Sequence, residues 1–193
     1  MKHELDAMTI VPFIADIFER RGAEEYLGEP VTISEHMLQG AWFAEQEAAP
    51  EELVVAALLH DIGHFTSEFG TYTPDDREDR HHDDAGADVL EPFFPPVVTE
   101  CVRLHVAAKR YLCATDSSYY GKLSPASIHT LSLQGGPMSE EEVAQFRTKP
   151  FHEEAVRVRL WDEKGKVPGM QTKSIRDYVP LLERVVRKYT RNH

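Results

Sequence analysis

Cysteine is scarce in this sequence. Cys101 and Cys113 are the only two among 193 residues, too few for the disulfide framework of a small secreted protein. The first residues are too polar for a signal peptide, and no apolar run approaches the roughly 20 residues that a membrane-spanning helix needs. A reduced, cytoplasmic protein with no membrane attachment is therefore expected.

Positive charge is also in short supply. The chain carries 21 Lys and Arg against 33 Asp and Glu, a formal net charge of −12. Nucleic-acid phosphates require a basic surface, so no nucleic-acid partner is expected. A small anionic substrate stays compatible with this charge if metal ions and a few local cations hold it.

No stretch shows the clean apolar–polar alternation of a strand between hairpin turns, so strand content should be low. Apolar residues instead recur at helical spacing behind capping signals. Helices are predicted over 6–21 (ending at Gly22), 32–47, 50–63, 81–91, 95–112, 124–135, from the capping box at Ser139, 151–162 and 174–190, with a polar loop at 65–80. Without repeats or linkers, the pattern predicts an all-α fold and one domain over residues 1–193.

The most informative stretch is an apolar helix that runs directly into His60 and Asp61. A buried, unpaired carboxylate costs several kcal/mol unless a cation compensates it, and the two oxygens of Asp61 could bridge two ions. Further candidate ligands are His36, His82, His105 and Asp162. This nitrogen and oxygen set without thiolate suits iron, manganese or zinc.

The other histidines are expected not to bind metal. His81 is adjacent to His82, and only one of the two is expected to be a ligand. Four more are predicted to be exposed: His3, His129, His152 and His193. Lys109 lies four residues after His105 and should project from the same helical face, which brings a positive charge to the site.

An early His, then His-Asp, then two His and a late Asp resemble the metal-binding pattern of the HD-domain superfamily. Several stretches also resemble the HD-type oxygenases that cleave carbon–phosphorus bonds in 1-hydroxy-2-aminoethylphosphonates. These stretches are Tyr26–Glu29, Ala56–His64, His105–Leu112, Gln134–Met138 and Trp161–Lys166. The resemblance implies a single HD-domain helical bundle with dioxygenase activity.

Roles carry over from this resemblance position by position. One iron would take His36, His60, Asp61 and Asp162, and the second would take Asp61, His82 and His105, as an Fe(II)/Fe(III) pair. The predicted substrate-binding residues are Tyr26, Glu29, His64, Lys109, Ser127, Gln134 and Arg159. His64 and Lys109 are the predicted catalytic residues, and Tyr26 and Glu29 lie on a covering loop.

Two substrates fit the resemblance. A primary amine would give glycine and phosphate, whereas a trimethylammonium would give glycine betaine and phosphate. The whole chain resembles the trimethylated branch more closely, so the predicted reaction is the cleavage of (R)-1-hydroxy-2-(trimethylammonio)ethylphosphonate by O2. Phe65, Phe69 and Tyr72 either face the quaternary ammonium or pack their loop onto the core. A 2-oxoglutarate-dependent hydroxylase is expected upstream in the same pathway.

Two other functions fit parts of the pattern. An HD phosphohydrolase would use the same six ligands to activate water, and only the flanking stretches at 105–112 and 134–138 favour the oxygenase. A metal-stabilised binding module is the other alternative. Structural metal sites are usually closed and four-coordinate, whereas a dinuclear site beside basic residues is more typical of catalysis.

Overall fold

The structure is a computed structural model that describes residues 5–26, 28–66, 79 and 81–191. Its helices are α1 (Ile10–Arg21), α2 (Ile33–Gln46), α3 (Glu51–Leu59), α4 (Gly63–Thr66), α5 (His82–Leu90), α6 (Pro96–Thr115), α7 (Pro125–Leu133), α8 (Glu140–Phe146), α9 (His152–Lys164) and α10 (Ile175–Thr190), with a 3-10 turn at Tyr120–Lys122. Within these ranges the only β pairing is an isolated bridge between Glu25 and Thr32. The all-α prediction is confirmed. No helix in the described residues is long and apolar enough to cross a membrane.

Helix α3 forms the centre of the bundle. Every residue from Leu53 to Leu59 is buried, and a helix that is apolar on all sides must be enclosed by others. It packs against α2, α6, α9 and α10, while α6 also packs against α9 and α5. The residues that follow α3 therefore lie inside the bundle.

Helix boundaries follow the capping signals closely, and α2 shows why. Thr32 Oγ1 accepts a hydrogen bond from the Glu35 amide at 3.2 Å, and the Glu35 carboxylate accepts one from the Thr32 amide at 2.8 Å. This reciprocal capping box satisfies two amides that the helix leaves unpaired. The second predicted box, between Ser139 and Glu142, opens α8 in the same way.

Helix α1 begins later than predicted and ends where predicted. It begins at Ile10 because the Asp6 carboxylate accepts the Met8 and Thr9 amides at 2.8 Å, which holds residues 6–9 in a turn. Gly22 does end the helix, but with a negative φ of −62°. A Cβ there would lie 2.6 Å from Ser34 Cβ, so close packing explains this glycine.

Helix α3 was predicted to reach Gly63 but ends at Leu59. Two tight turns follow, closed by the Ile62 amide on Leu59 O and the His64 amide on Asp61 O. The predicted loop at 65–80 is helical at its first two residues, and residues 67–78 and 80 lie outside the described part of the chain. These turns aim the side chains of His60, Asp61 and His64 at one point.

Candidate metal centre

The six predicted metal ligands lie together, brought by five elements. They are His36 on α2, His60 and Asp61 after α3, His82 at the start of α5, His105 on α6 and Asp162 on α9. None is more than 4% exposed. The bundle thus encloses four imidazoles and two carboxylates at its centre.

The ligands form two groups, one at each oxygen of Asp61. On one side, Asp61 Oδ2 lies 3.5 Å from Nε2 of both His36 and His60, and Asp162 Oδ1 lies 3.3 Å from His36 Nε2. On the other side, Asp61 Oδ1 lies 3.2 Å from His82 Nε2 and 3.3 Å from His105 Nε2. This is the arrangement expected if one carboxylate bridges two ions.

Backbone carbonyls fix the orientation of three of these imidazoles. Nδ1 of His36 donates to Gly165 O at 2.8 Å, Nδ1 of His60 to Ala57 O at 2.8 Å, and Nδ1 of His105 to Val102 O at 2.6 Å. Because Nδ1 carries the proton, the lone pair of each neutral ring is on Nε2, which points into the site. Such outer hydrogen bonds are typical of histidine metal ligands.

The geometry requires a cation. Nε2 atoms of His36 and His60 face each other at 3.0 Å, and those of His82 and His105 at 3.1 Å. With the proton of each ring on Nδ1, the two lone pairs of His36 and His60 repel at that distance unless a positive charge lies between them. Among the described residues, Asp61 Oδ2 and Asp162 Oδ1 are also buried without a hydrogen-bond donor. The donors fit two metal ions of the iron, manganese or zinc class.

The charges of the site suit metal binding at neutral pH. Burial alone would raise the pKa of Asp61, but the nearby imidazoles of His60 and His64 hold it well below its usual value. Burial lowers the pKa of His60 to about 4. The carboxylate is therefore ionised and this imidazole neutral, which are the forms that bind metal.

A cavity opens beside the second ligand group. It is bounded by Asp61, His82 and His105 and by six of the seven predicted substrate-binding residues: Tyr26, Glu29, His64, Lys109, Ser127 and Gln134. The amide oxygen Oε1 of Gln134 is buried there and accepts no hydrogen bond from the described residues. The substrate role of these residues stays a prediction, but their positions are compatible with it.

Lys109 lies in this cavity on the same face of α6 as His105, as its spacing predicted. The side chain is only 4% exposed, and its Nζ donates to Thr130 Oγ1 at 2.9 Å. Burial, together with the positive charges of Arg159 and Lys166, lowers the pKa of Lys109 to about 7. An anion in the cavity would favour its charged form.

The structure does not support a substrate contact for Arg159. This residue is absent from the cavity lining, and each of its guanidinium nitrogens has a protein partner: Nε donates to Tyr119 Oη at 2.8 Å, Nη1 to Asp162 and Nη2 to Glu163. The spacing of Arg159 to Asp162 and Glu163 on one helix turns the guanidinium towards the back of the metal ligand. Arg159 thus orients Asp162.

The aromatic residues that could face a trimethylammonium group lie in different environments. Phe65 packs edge-on against Phe18 at 5.8 Å in the core, which agrees with the alternative that it packs its segment onto the core. Phe69 and Tyr72 lie outside the described residues. Tyr26 does line the cavity and stacks on His36 with a centroid distance of 4.3 Å.

The remaining histidines lie where predicted only in part. The His81 side chain is 71% exposed beside the buried His82. His129 and His152 are half-buried rather than exposed, and His152 packs edge-on against Phe146 with ring centroids 5.9 Å apart. His3 and His193 lie outside the described residues. His64 stacks on His82 at 4.2 Å and lies 3.8 Å from Asp61 Oδ1, so it borders the second group.

Sequence reasoning missed several neighbours of the cavity. Thr130 shares a helical face with Ser127 and Gln134, at i+3 and i+7, and this spacing could have revealed it. Tyr119, Ser124 and Lys166 come from other parts of the chain, and only Lys166 lies in a stretch, Trp161–Lys166, that the resemblance to HD-type oxygenases had marked.

Comparison with known proteins agrees with this geometry. The HD domain family matches residues 33–163. The chain is 59% identical over 186 residues to the [1-hydroxy-2-(trimethylamino)ethyl]phosphonate dioxygenase (glycine-betaine-forming) of Leisingera caerulea, covering 96% of this chain and 95% of the relative. It is 44% identical to a hydroxymethylphosphonate dioxygenase of Gimesia maris, over 83% of this chain and 80% of that protein. An uncharacterized protein of Acanthamoeba polyphaga mimivirus is 31% identical, over 93% and 83%.

Proposed function

The chain belongs to the HD-domain family, and from that premise we propose that it is a C–P-cleaving dioxygenase that converts (R)-1-hydroxy-2-(trimethylammonio)ethylphosphonate and O2 to glycine betaine and phosphate. The observation that carries the proposal is the pair of ligand groups sharing Asp61, with a cationic cavity opening on one of them. Support for the substrate comes from the relative that is 59% identical over nearly the whole chain.

The two ions would be an Fe(II)/Fe(III) pair held by His36, His60, Asp61, His82, His105 and Asp162. When bound, such a pair supplies the redox chemistry that dioxygen needs and a Lewis acid for the substrate oxygens. The protein residues then bind and orient the substrate beside it. We further propose that residues 1–193 form one HD domain.

The phosphonate end would lie against α6 and α7. Lys109 supplies the positive charge, while Ser127 and Gln134 supply the hydrogen-bond donors that a dianion with three oxygens requires. Burial lowers the pKa of His64 to about 3. The His64 ring is therefore neutral and donates a hydrogen bond from one nitrogen without adding charge.

The trimethylammonium end cannot donate hydrogen bonds. It is best met by aromatic faces and diffuse negative charge, and the cavity offers the Tyr26 ring and the Glu29 carboxylate. Both side chains come from the segment between α1 and α2, so one segment would close over the cationic end. Their enclosure also keeps water from the reacting carbon.

The overall reaction balances with one O2. The C1–H and C–P bonds break, one oxygen joins the carbon to complete the carboxylate, and the other joins phosphorus to complete phosphate. One proton is released. The hydroxyl on C1 must be present beforehand, so a hydroxylase, of the 2-oxoglutarate-dependent class, would supply the substrate. We place both steps in the cytoplasm, and the unpaired thiols of Cys101 and Cys113 agree with a reducing compartment.

The test is turnover by anaerobically purified protein of known iron content. With O2, phosphorus and proton NMR should show phosphate and glycine betaine forming together. A low-field EPR signal from a coupled Fe(II)/Fe(III) pair should change when the phosphonate is added. Phosphate release from a phosphate ester without O2 consumption would identify an HD phosphohydrolase instead.

A further inference from the structure

Lys166 occupies a position that neither the proposed mechanism nor its ligand set uses. It lies two residues after the end of α9, and its side chain is only 10% exposed. Lysine is seldom this buried unless it is paired. The residues that pair with its ammonium group therefore indicate the role of Lys166.

The Lys166 ammonium contacts three separate parts of the fold. It donates to Ser127 Oγ on α7 at 2.7 Å and lies 3.2 Å from Glu29 Oε1 on the covering loop. It also lies 3.4 Å from Glu163 Oε1 on α9. Glu29 itself accepts a hydrogen bond from Ser124, the N-cap of α7. One buried charge thus links the covering loop to the cavity wall.

The backbone beside Lys166 is tied to the metal site. The carbonyl of Gly165 accepts the Nδ1 proton of His36 at 2.8 Å. A Cβ on Gly165 would lie 2.9 Å from the His36 carbonyl oxygen, so this glycine allows the segment to approach α2. The origin of the Lys166 side chain is therefore fixed with respect to the ligands.

The number of protons that Ser127 can donate shows how its contact with Lys166 affects the cavity. An ammonium only donates hydrogen bonds, so Ser127 Oγ must accept from Lys166. The single proton of the serine hydroxyl is then left for another acceptor, and Ser127 lines the cavity. A charged donor also makes the hydroxyl proton a better donor in its turn.

We propose that Lys166 is a positioning residue, which turns the Ser127 hydroxyl proton towards the anionic group of the substrate and holds Glu29 of the covering loop against α7. The proposal rests on the proposed function for the nature of that anion. Lys166 need not contact the substrate itself. It couples the wall that meets the anionic end to the loop that meets the cationic end.

The test measures binding of inorganic phosphate to iron-loaded enzyme by calorimetry, so that it does not depend on turnover. Lys166→Met should weaken phosphate binding about tenfold, a free-energy change of about 1.4 kcal/mol, with iron content unchanged. Lys166→Arg should recover most of the affinity. Lys164→Met is the matched control, because Lys164 is half-exposed and pairs with Glu47 on the outside of the bundle.

The double variant separates positioning from a general effect of charge. In a Ser127→Ala background, Lys166→Met should change phosphate affinity less than twofold, because the group it orients is gone. An undiminished tenfold effect there, or affinity within twofold of wild type in Lys166→Met alone, overturns the proposal. If the Met variant does not fold, Lys166→Gln replaces it under the same criteria.

Failure of the two proposals can be told apart. Enzyme that shows this phosphate-binding pattern but no O2-dependent cleavage would keep the role of Lys166 and lose the dioxygenase function. Enzyme that cleaves the phosphonate but binds phosphate equally well with and without Lys166 would keep the dioxygenase function and overturn the role of Lys166.

Discussion

Asp61 is the one residue that both candidate metal positions share. Its two oxygens lie within 3.5 Å of four imidazole nitrogens. Asp61→Ala would leave three ligands for one ion and two for the other. We expect loss of both irons, measured by metal analysis after gel filtration. His81→Ala, which changes the exposed neighbour of His82, should keep both. Two tightly held ions in Asp61→Ala would contradict the bridging role.

Lys109 should act on substrate affinity and not on metal content. Removing a charge-assisted contact costs on the order of 1.5–3 kcal/mol, so Lys109→Ala should raise KM roughly ten- to a hundredfold with both irons retained. Iron loss in this variant would point to a structural role instead.

The pH dependence of KM follows from the same residue. Because burial and the nearby Arg159 and Lys166 lower the pKa of Lys109 to about 7, the free enzyme carries this charge below pH 7 and loses it above. KM should therefore rise as pH increases through 7 in the wild type. Lys109→Ala, profiled over the same range, should lack this rise.

At the level of secondary structure, Gly63 sets the contact between α4 and α5. A Cβ at this position would lie 1.7 Å from the His82 carbonyl oxygen. Gly63→Ala must separate the two helices, which carry His64 and His82. We expect about 1–3 kcal/mol of lost stability and reduced iron content, from thermal unfolding and metal analysis. Gly121→Ala, where a Cβ meets no atom within 4 Å, should change neither, and equal behaviour of the two variants would contradict this account.

Helices were predictable where local chemistry determines them. The capping boxes at Thr32 and Ser139 and the apolar run of α3 are local signals, and the helices lie where they indicate. The tight turns after Leu59 were not predicted, because they depend on contact with α5, which comes later in the chain. The start of α1 depends on the Asp6 side chain, whose alternative hydrogen bonds compete with the helix.

In the metal centre and its cavity, too, some features follow from local sequence and others depend on contacts in the folded bundle. The ligand residues could be named from the resemblance and from the buried carboxylate that needs a cation, and the structure brings all six together. The turn of Arg159 towards Asp162 could not be predicted, and the sequence left the packing of Phe65 open, since each depends on which neighbour a side chain meets in the folded bundle. The contacts of Lys166 likewise depend on the folded bundle.

In the molecule as a whole, acidic residues outnumber basic ones, and the cavity contains the buried, cationic side chain of Lys109. With a net charge of −12, the surface favours approach of the cationic end of a zwitterion, and Lys109 then receives the anionic end. A primary ammonium carries the same charge, so this attraction distinguishes both amines only from hydroxymethylphosphonate, whereas the aromatic face of Tyr26 favours the trimethylammonium. We therefore expect the highest kcat/KM for the trimethylammonium substrate. Competition under limiting enzyme with O2 present measures this. Faster consumption of the primary amine would reassign the substrate within the same chemistry.

Because α3 is enclosed by other helices, its backbone amides should exchange slowly with deuterium. The amides of its buried residues 53–59, enclosed by α2, α6, α9 and α10, should exchange with deuterium only when the bundle opens. His60 and Asp61 follow this helix directly. Deuterium uptake by α3 should therefore report the rate at which the bundle opens around the metal centre.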